Sequence, residues 1–180
     1  NDVTLLEGPF KKARDLNIQV ILQYDVDRLL APYQKEAGLK PRGLSYPNWD
    51  GLDGHVGGHY LSALAINYAA TKNAECKQRM AYMISLLNEC QEAHTKNHAE
   101  WGVGYLGGVP NSTEIWSTLK TGEFKAYRDA WVPWYNVHKM YAGLRDAWIY
   151  AGNEDARKMF LKFCDWGISI TATLSEAQMQ

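Results

Sequence analysis

Histidines four residues apart are the first chemically suggestive feature of this sequence. His55 and His59 sit in the run Trp49-Asp50-Gly51-Leu52-Asp53-Gly54-His55-Val56-Gly57-Gly58-His59. Its glycines let the backbone turn sharply and let another group come close. Trp49, Asp50, Asp53, His55 and His59 add a stacking face and hydrogen-bond partners, the combination that recognition of a polyol needs. An i, i+4 histidine pair can also grip a metal from a helix. Here the Glu of H-E-x-x-H is missing and Gly57-Gly58 disfavours helix, so no metal role is assigned. A polar helix entry with structural histidines is the competing reading.

A second constellation is Trp131-Val132-Pro133-Trp134-Tyr135-Asn136-Val137-His138-Lys139. Pro133 marks a helix start and puts Trp134, Tyr135 and His138 in its first turn or so. A neutral His138 imidazole there can hydrogen-bond a sugar hydroxyl, and Trp134 or Tyr135 can stack on the ring. The alternative is a helix cap with aromatic core packing. Gly102-Val-Gly-Tyr-Leu-Gly-Gly-Val-Pro110 reads as another close-approach loop, with Tyr105 as its candidate ligand contact. It lacks the Gly-Lys-Ser/Thr ending of a phosphate cradle, and no strand precedes it. His94 and His98 share the four-residue spacing but lie among Thr95, Lys96 and Asn97, and read as solvated surface histidines.

Cleaving a glycosidic bond usually takes two carboxylates set at a defined distance. Asp50 and Asp53 are the only pair in a plausible pocket loop, whereas Glu89 and Glu92 read as helix-surface charges. Spacing alone does not say which carboxylate, if any, is catalytic. The three cysteines, Cys76, Cys90 and Cys164, show no CxxC spacing. Cys76 and Cys90 fall on one helical stripe, about 21 Å apart at 1.5 Å per residue, too far to bridge. All three read as core thiols.

Helices must position these groups. Cys76, Met80, Met83, Leu87 and Cys90 make one apolar face, and Ala156, Phe160, Phe163, Gly167 and Ile170 repeat it. A helix marked by Tyr60, Leu61, Leu64, Ala65 and Tyr68 precedes the first stripe. One marked by Val137, Tyr141, Leu144, Trp148 and Ala151 precedes the second. Asn73 and Asn153 stand at equivalent junctions, each followed by acidic residues, as helix N-caps. The result is two α-hairpins offset by about 80 residues, a weak internal repeat. A further helix is predicted from Phe10 to Leu30. No strand alternation appears, so the fold class is all-α. The stretch from His94 to Pro133 reads as a long aromatic loop, of the kind that often carries function. Long loops at one end of stacked hairpins point to an α/α toroid with its pocket at that end, of which these helices make about half.

Composition narrows the field. The 180 residues are 46% hydrophobic and 22% charged, with a net charge of −1. That is a globular range without the basic excess of a nucleic-acid binder. No apolar run approaches the roughly 20 residues of a membrane span.

Several motifs also resemble a known family. They are Glu7-Gly-Pro-Phe10, Asp27-Arg-Leu-Leu-Ala-Pro32, Lys35-Glu-Ala-Gly-Leu39, Tyr46-Pro-Asn-Trp49 and Gly51 through Ala63, with Gly104-Tyr-Leu-Gly-Gly-Val-Pro110, Trp131 through Lys139 and Ala142-Gly-Leu-Arg-Asp146. Together they resemble the start of the catalytic domain of glycoside hydrolase families 127 and 146, and the likeness covers nearly the whole chain. It implies an (α/α)6 barrel, with residues 1–180 forming the N-terminal half of a single catalytic domain. It further implies a retaining enzyme that releases terminal β-L-arabinofuranosyl residues from plant-type glycans, outside the cell or in the periplasm. The family uses a cysteine nucleophile near a zinc held by cysteines and a glutamate, with a second glutamate as acid/base. None of the three cysteines here matches that motif, so nucleophile, acid/base and zinc ligands are expected beyond Gln180. The partners implied are an oligosaccharide or polysaccharide and the remainder of the barrel. What carries over is sugar contact through His55, His59 and His138, with Asp53, Trp49, Tyr105, Trp134 and Tyr135 around them. Two rivals stay open. One is another α/α-toroid enzyme, an unsaturated-uronide hydrolase or polysaccharide lyase, with Asp50 or Asp53 catalytic. The other is a non-catalytic carbohydrate-binding helical piece.

Overall fold

The apolar stripes become two long helical hairpins in a computed structural model that describes residues 3–47 and 51–179. The first hairpin is α3 (His55–Thr71) and α4 (Ala74–Asn97), and the second is α7 (Pro133–Ala151) and α8 (Glu154–Thr171). Their junctions are built alike. The Asn73 side chain accepts from Cys76 N (3.0 Å) and that of Asn153 from Ala156 N (2.8 Å), each satisfying an otherwise orphaned helix donor. The preceding helices end on left-handed residues, Lys72 (φ 57°) and Gly152 (φ 69°). Before the hairpins come α1 (Pro9–Ile21) and α2 (Val26–Glu36). Between them lie α5 (Ser112–Lys120) and α6 (Lys125–Asp129), and α9 (Glu176–Met179) closes the order. Helix accounts for 69% of the described residues, and no strand occurs among them.

Two expectations are corrected. The single helix from Phe10 to Leu30 is two helices, because Asp25 turns its carboxylate onto the N–H of Asp27 (2.9 Å) and Arg28 (3.4 Å) and starts a new helix. The stretch from His94 to Pro133 is not a long loop. Helix α4 runs on to Asn97, and α5 buries Ile115, Trp116 and Leu119.

The hairpins stack so that α3 packs along α7, while α4 and α8 form a second layer behind them. Leu61, Leu64 and Ala65 of α3 and Met140, Leu144 and Ala147 of α7 are fully or almost fully buried. So are Met83, Leu87 and Cys90 of α4, and Phe163 and Trp166 of α8. The α3–α7 packing depends on glycine. A Cβ on Gly58 would overlap the Lys139 carbonyl, and one on Gly143 would come 2.7 Å from the Gly58 carbonyl oxygen. Gly57 and Gly58 therefore lie inside α3 after all. Close backbone approach to α7 and to the Tyr33 ring outweighs their low helix propensity.

His55 meets Tyr135, Gly58 meets Lys139 and Met140, and Leu61 meets Gly143. The two helices therefore run in the same direction, and their N-terminal ends lie side by side.

The glycines of residues 102–110 serve packing within the chain. A Cβ on Gly104 would overlap the Lys162 carbonyl, and Gly54 and Gly108 abut backbone to backbone. Cys76 and Cys90 are buried and Cys164 is half-buried, and none is paired. No helix among the described residues is long and apolar enough to cross a membrane.

Candidate functional site

Where α3 and α7 begin, four of the predicted residues come together. His55 opens α3 with its ring Nδ1–H donating to Leu52 O (2.7 Å). In that tautomer Nε2 is the acceptor nitrogen. One turn later His59 presents its ring edge-on, 6.0 Å from that of His55. Tyr135, in the first turn of α7, sits 6.0 Å from the His55 ring and 5.2 Å from that of His138. His55 is buried, while His59, Tyr135 and His138 are exposed, giving a floor and three reachable walls.

Val132 precedes this turn in a left-handed conformation (φ 44°), an uncommon state for a β-branched residue. It leads the chain from exposed Trp131 into Pro133.

The electrostatics favour a neutral imidazole at His59. The charged form of His59 is disfavoured first by desolvation, then by Lys139, His55 and His138, so it titrates below the usual histidine range. The Lys139 ammonium lies 4.7 Å from the centre of the Tyr135 ring, a cation–π distance. Neutral imidazole both donates and accepts, which suits a hydroxyl that does the same. Sequence reasoning passed over Lys139, although its place beside His138 was the available signal.

The other predicted residues are spread further. Asp53 is half-buried, accepts from Gly51 N (3.1 Å) and borders a narrow crevice with His55, Arg28 and Tyr46. Trp134 turns away from Tyr135 and packs on Trp116 (4.9 Å) and Trp166 (5.8 Å). Its outer edge lines a cavity of about 280 Å³ with Phe124, Tyr127 and Arg128. Tyr105 has no ligand-facing surface here. It is 0% exposed, its hydroxyl pairs with Ser112 Oγ (2.8 Å), and its ring lies among Trp101, Trp116 and Trp166. The Gly102–Pro110 turns carry it inward, into the core. Trp49 and Asp50 lie outside the described residues.

His94 also departs from expectation. It is 0% exposed, 4.8 Å from the Tyr105 ring and 6.0 Å from that of Trp101. Neither ring nitrogen has a hydrogen-bond partner among the described residues. Burial, reinforced by His98, holds its pKa down at about 3.

The sequence model of the β-L-arabinofuranosidase GH127 catalytic domain matches residues 2–180. The chain belongs to that family. At family level it is therefore a glycoside hydrolase of the arabinofuranosidase type, and its helices are part of the α/α barrel. No curated protein matches the sequence.

Among the described residues, no group of three His, Cys, Asp or Glu is placed to hold a metal ion. Cys90 is buried with its thiol pushed up to about 12, far from the thiolate character a nucleophile or ligand needs.

Proposed function

We propose that this GH127-family chain supplies part of the wall that binds the terminal sugar in a β-L-arabinofuranosidase acting on plant-type glycans. The observation that carries the proposal is the convergence of His55, His59, Tyr135 and His138, from two segments about 80 residues apart, at one end of the hairpin stack. A furanose offers hydroxyls on its edges and C–H groups on its faces. The imidazoles address the former and the exposed Tyr135 ring the latter. Substrate positioning of this kind lowers the barrier by fixing geometry before reaction.

In this reading the nucleophilic cysteine, the acid/base glutamate and the zinc ligands come from the remainder of the catalytic domain. The enzyme works on extracellular or periplasmic glycans. Cys76, Cys90 and Cys164 are structural.

The test is hydrolysis of a β-L-arabinofuranoside by the complete enzyme after joint replacement of His59 and His138 by alanine. A rise in KM of roughly a hundredfold is expected if each lost charge-free hydrogen bond is worth about 1.4 kcal/mol. Unchanged kinetics would sink the assignment. Lys139 beside three histidines favours one rival, an enzyme for anionic uronide sugars. Preference for an unsaturated uronide over the arabinoside in the same assay would establish that reading instead.

A further inference from the structure

The candidate sugar wall contains one cation without a task in sugar binding so far. The Lys139 backbone is pressed against Gly58, the residue before His59, where the two helices meet. The ammonium sits over the ring of Tyr135, one turn back on the same helix. That ring in turn stands against His138 at 5.2 Å and His55 at 6.0 Å. Lys139 thus touches the aromatic piece that joins both halves of the cluster, and lies close enough to His59 to act on it electrostatically.

We propose that Lys139 is the positioning residue of this site: its ammonium pins the Tyr135 ring between His138 and His55, beside His59 where the two helices meet. The inference rests on the sugar-binding reading given above. The groups acting on His59 are His55 from its own helix, and Lys139 and His138 from α7. Each of them opposes a proton on His59. Of these side-chain types, a lysine ammonium is the one that carries its charge throughout the neutral and weakly acid range. Its removal therefore lets His59 protonate at higher pH, where a cationic imidazole can no longer accept a hydroxyl proton.

The experiment follows the His59 ring resonances by NMR through a pH titration, in the protein and in Lys139→Met and Lys139→Arg. Binding of methyl β-L-arabinofuranoside is measured across the same range. Lys139→Met is expected to move the His59 midpoint upward and to carry the acid edge of sugar binding with it. Lys139→Arg is expected to restore both. A role limited to packing would weaken binding equally at every pH and leave the midpoint where it was. An unmoved His59 midpoint in a folded Lys139→Met protein overturns the role given to Lys139. No arabinoside binding by the unsubstituted protein at any pH overturns the sugar reading instead.

Discussion

His55 with His59, and His94 with His98, have the same four-residue spacing on helices that pack in the same hairpin, yet the fold treats them in opposite ways. The first pair opens α3 beside the start of α7, with His55 buried as a floor and His59 exposed near Tyr135, His138 and Lys139. The second closes α4. There the chain doubles back at once, Gly102 N bonding His98 O at 2.6 Å, and folds Trp101 and Tyr105 over His94. The spacing is the same in both pairs, but their environments come from residues that spacing does not reveal. A histidine at the open end keeps its exchangeable hydrogen bonds. One sealed under aromatic rings gives them up and is held neutral by the missing solvent.

The largest consequence is an acid lability that belongs to His94. Its folded-state value of about 3 lies below the ordinary 6.5, so the unfolded chain takes up the proton first. Stability is complete above pH 6.5 and falls as the pH drops toward about 3, by about 1.4 kcal/mol per unit. Chemical denaturation at pH 8, 6 and 5 checks this. His94→Phe should flatten the profile between pH 6.5 and 5, and at pH 8 should keep stability within about 1 kcal/mol because two orphaned polar atoms disappear. A wild-type profile that is flat over that interval would refute the burial account. Replacing His59, by contrast, should leave the stability profile nearly untouched.

The open pair depends on the glycine seam instead. Gly58→Val would drive a side chain into the Lys139 carbonyl and force α3 and α7 apart, at a cost of about 3 kcal/mol. Its urea midpoint should drop accordingly, and the His55 and Tyr135 rings should separate. A variant as stable as the wild type would mean that α3 and α7 do not pack this closely.

How much of this was legible beforehand follows the range of the forces involved. The two hairpins could be read because their signals are local: apolar residues every three or four positions, Asn73 and Asn153 as caps, and Gly152 as a stop. The first turn of α7 was legible from Pro133 for the same reason. The break between α1 and α2 was missed because one Asp25 carboxylate makes it within an otherwise helical pattern. Helix α5 was hidden among glycines and aromatics, although Ile115, Trp116 and Leu119 had the right spacing. The burial of Tyr105 was beyond reach, since Phe163 and Trp166, which pack on its ring, come from the far end of the chain, and Tyr105 in turn covers His94. Gly57-Gly58 misled for a related reason. Intrinsic propensity argued against helix, and a tertiary approach between distant segments, Gly58 against Lys139, decided for it.

Within the site, Tyr135 sharpens the comparison. It is 37% exposed, and its removal costs the fold little. Tyr135→Ala should weaken arabinoside binding about tenfold, equivalent to about 1.4 kcal/mol, while the melting temperature stays nearly constant. A loss of stability without a loss of binding would assign the ring to packing.

Tyr105 makes the mirror-image case and the smallest expected effect. Both tyrosines come from glycine- or proline-marked aromatic motifs that sequence reasoning assigned to the ligand. Tyr105→Phe keeps the buried ring and removes only the hydroxyl that pairs with Ser112 Oγ. Ser112 retains its bond to Val109 O, so one hydrogen bond disappears and its partner is not stranded. The cost should be about 1 kcal/mol of unfolding free energy, with arabinoside affinity unchanged. If affinity fell while stability held, Tyr105 would have to reach the ligand, and the boundary between an aromatic core under α4 and an open histidine wall on α3 and α7 would have to move.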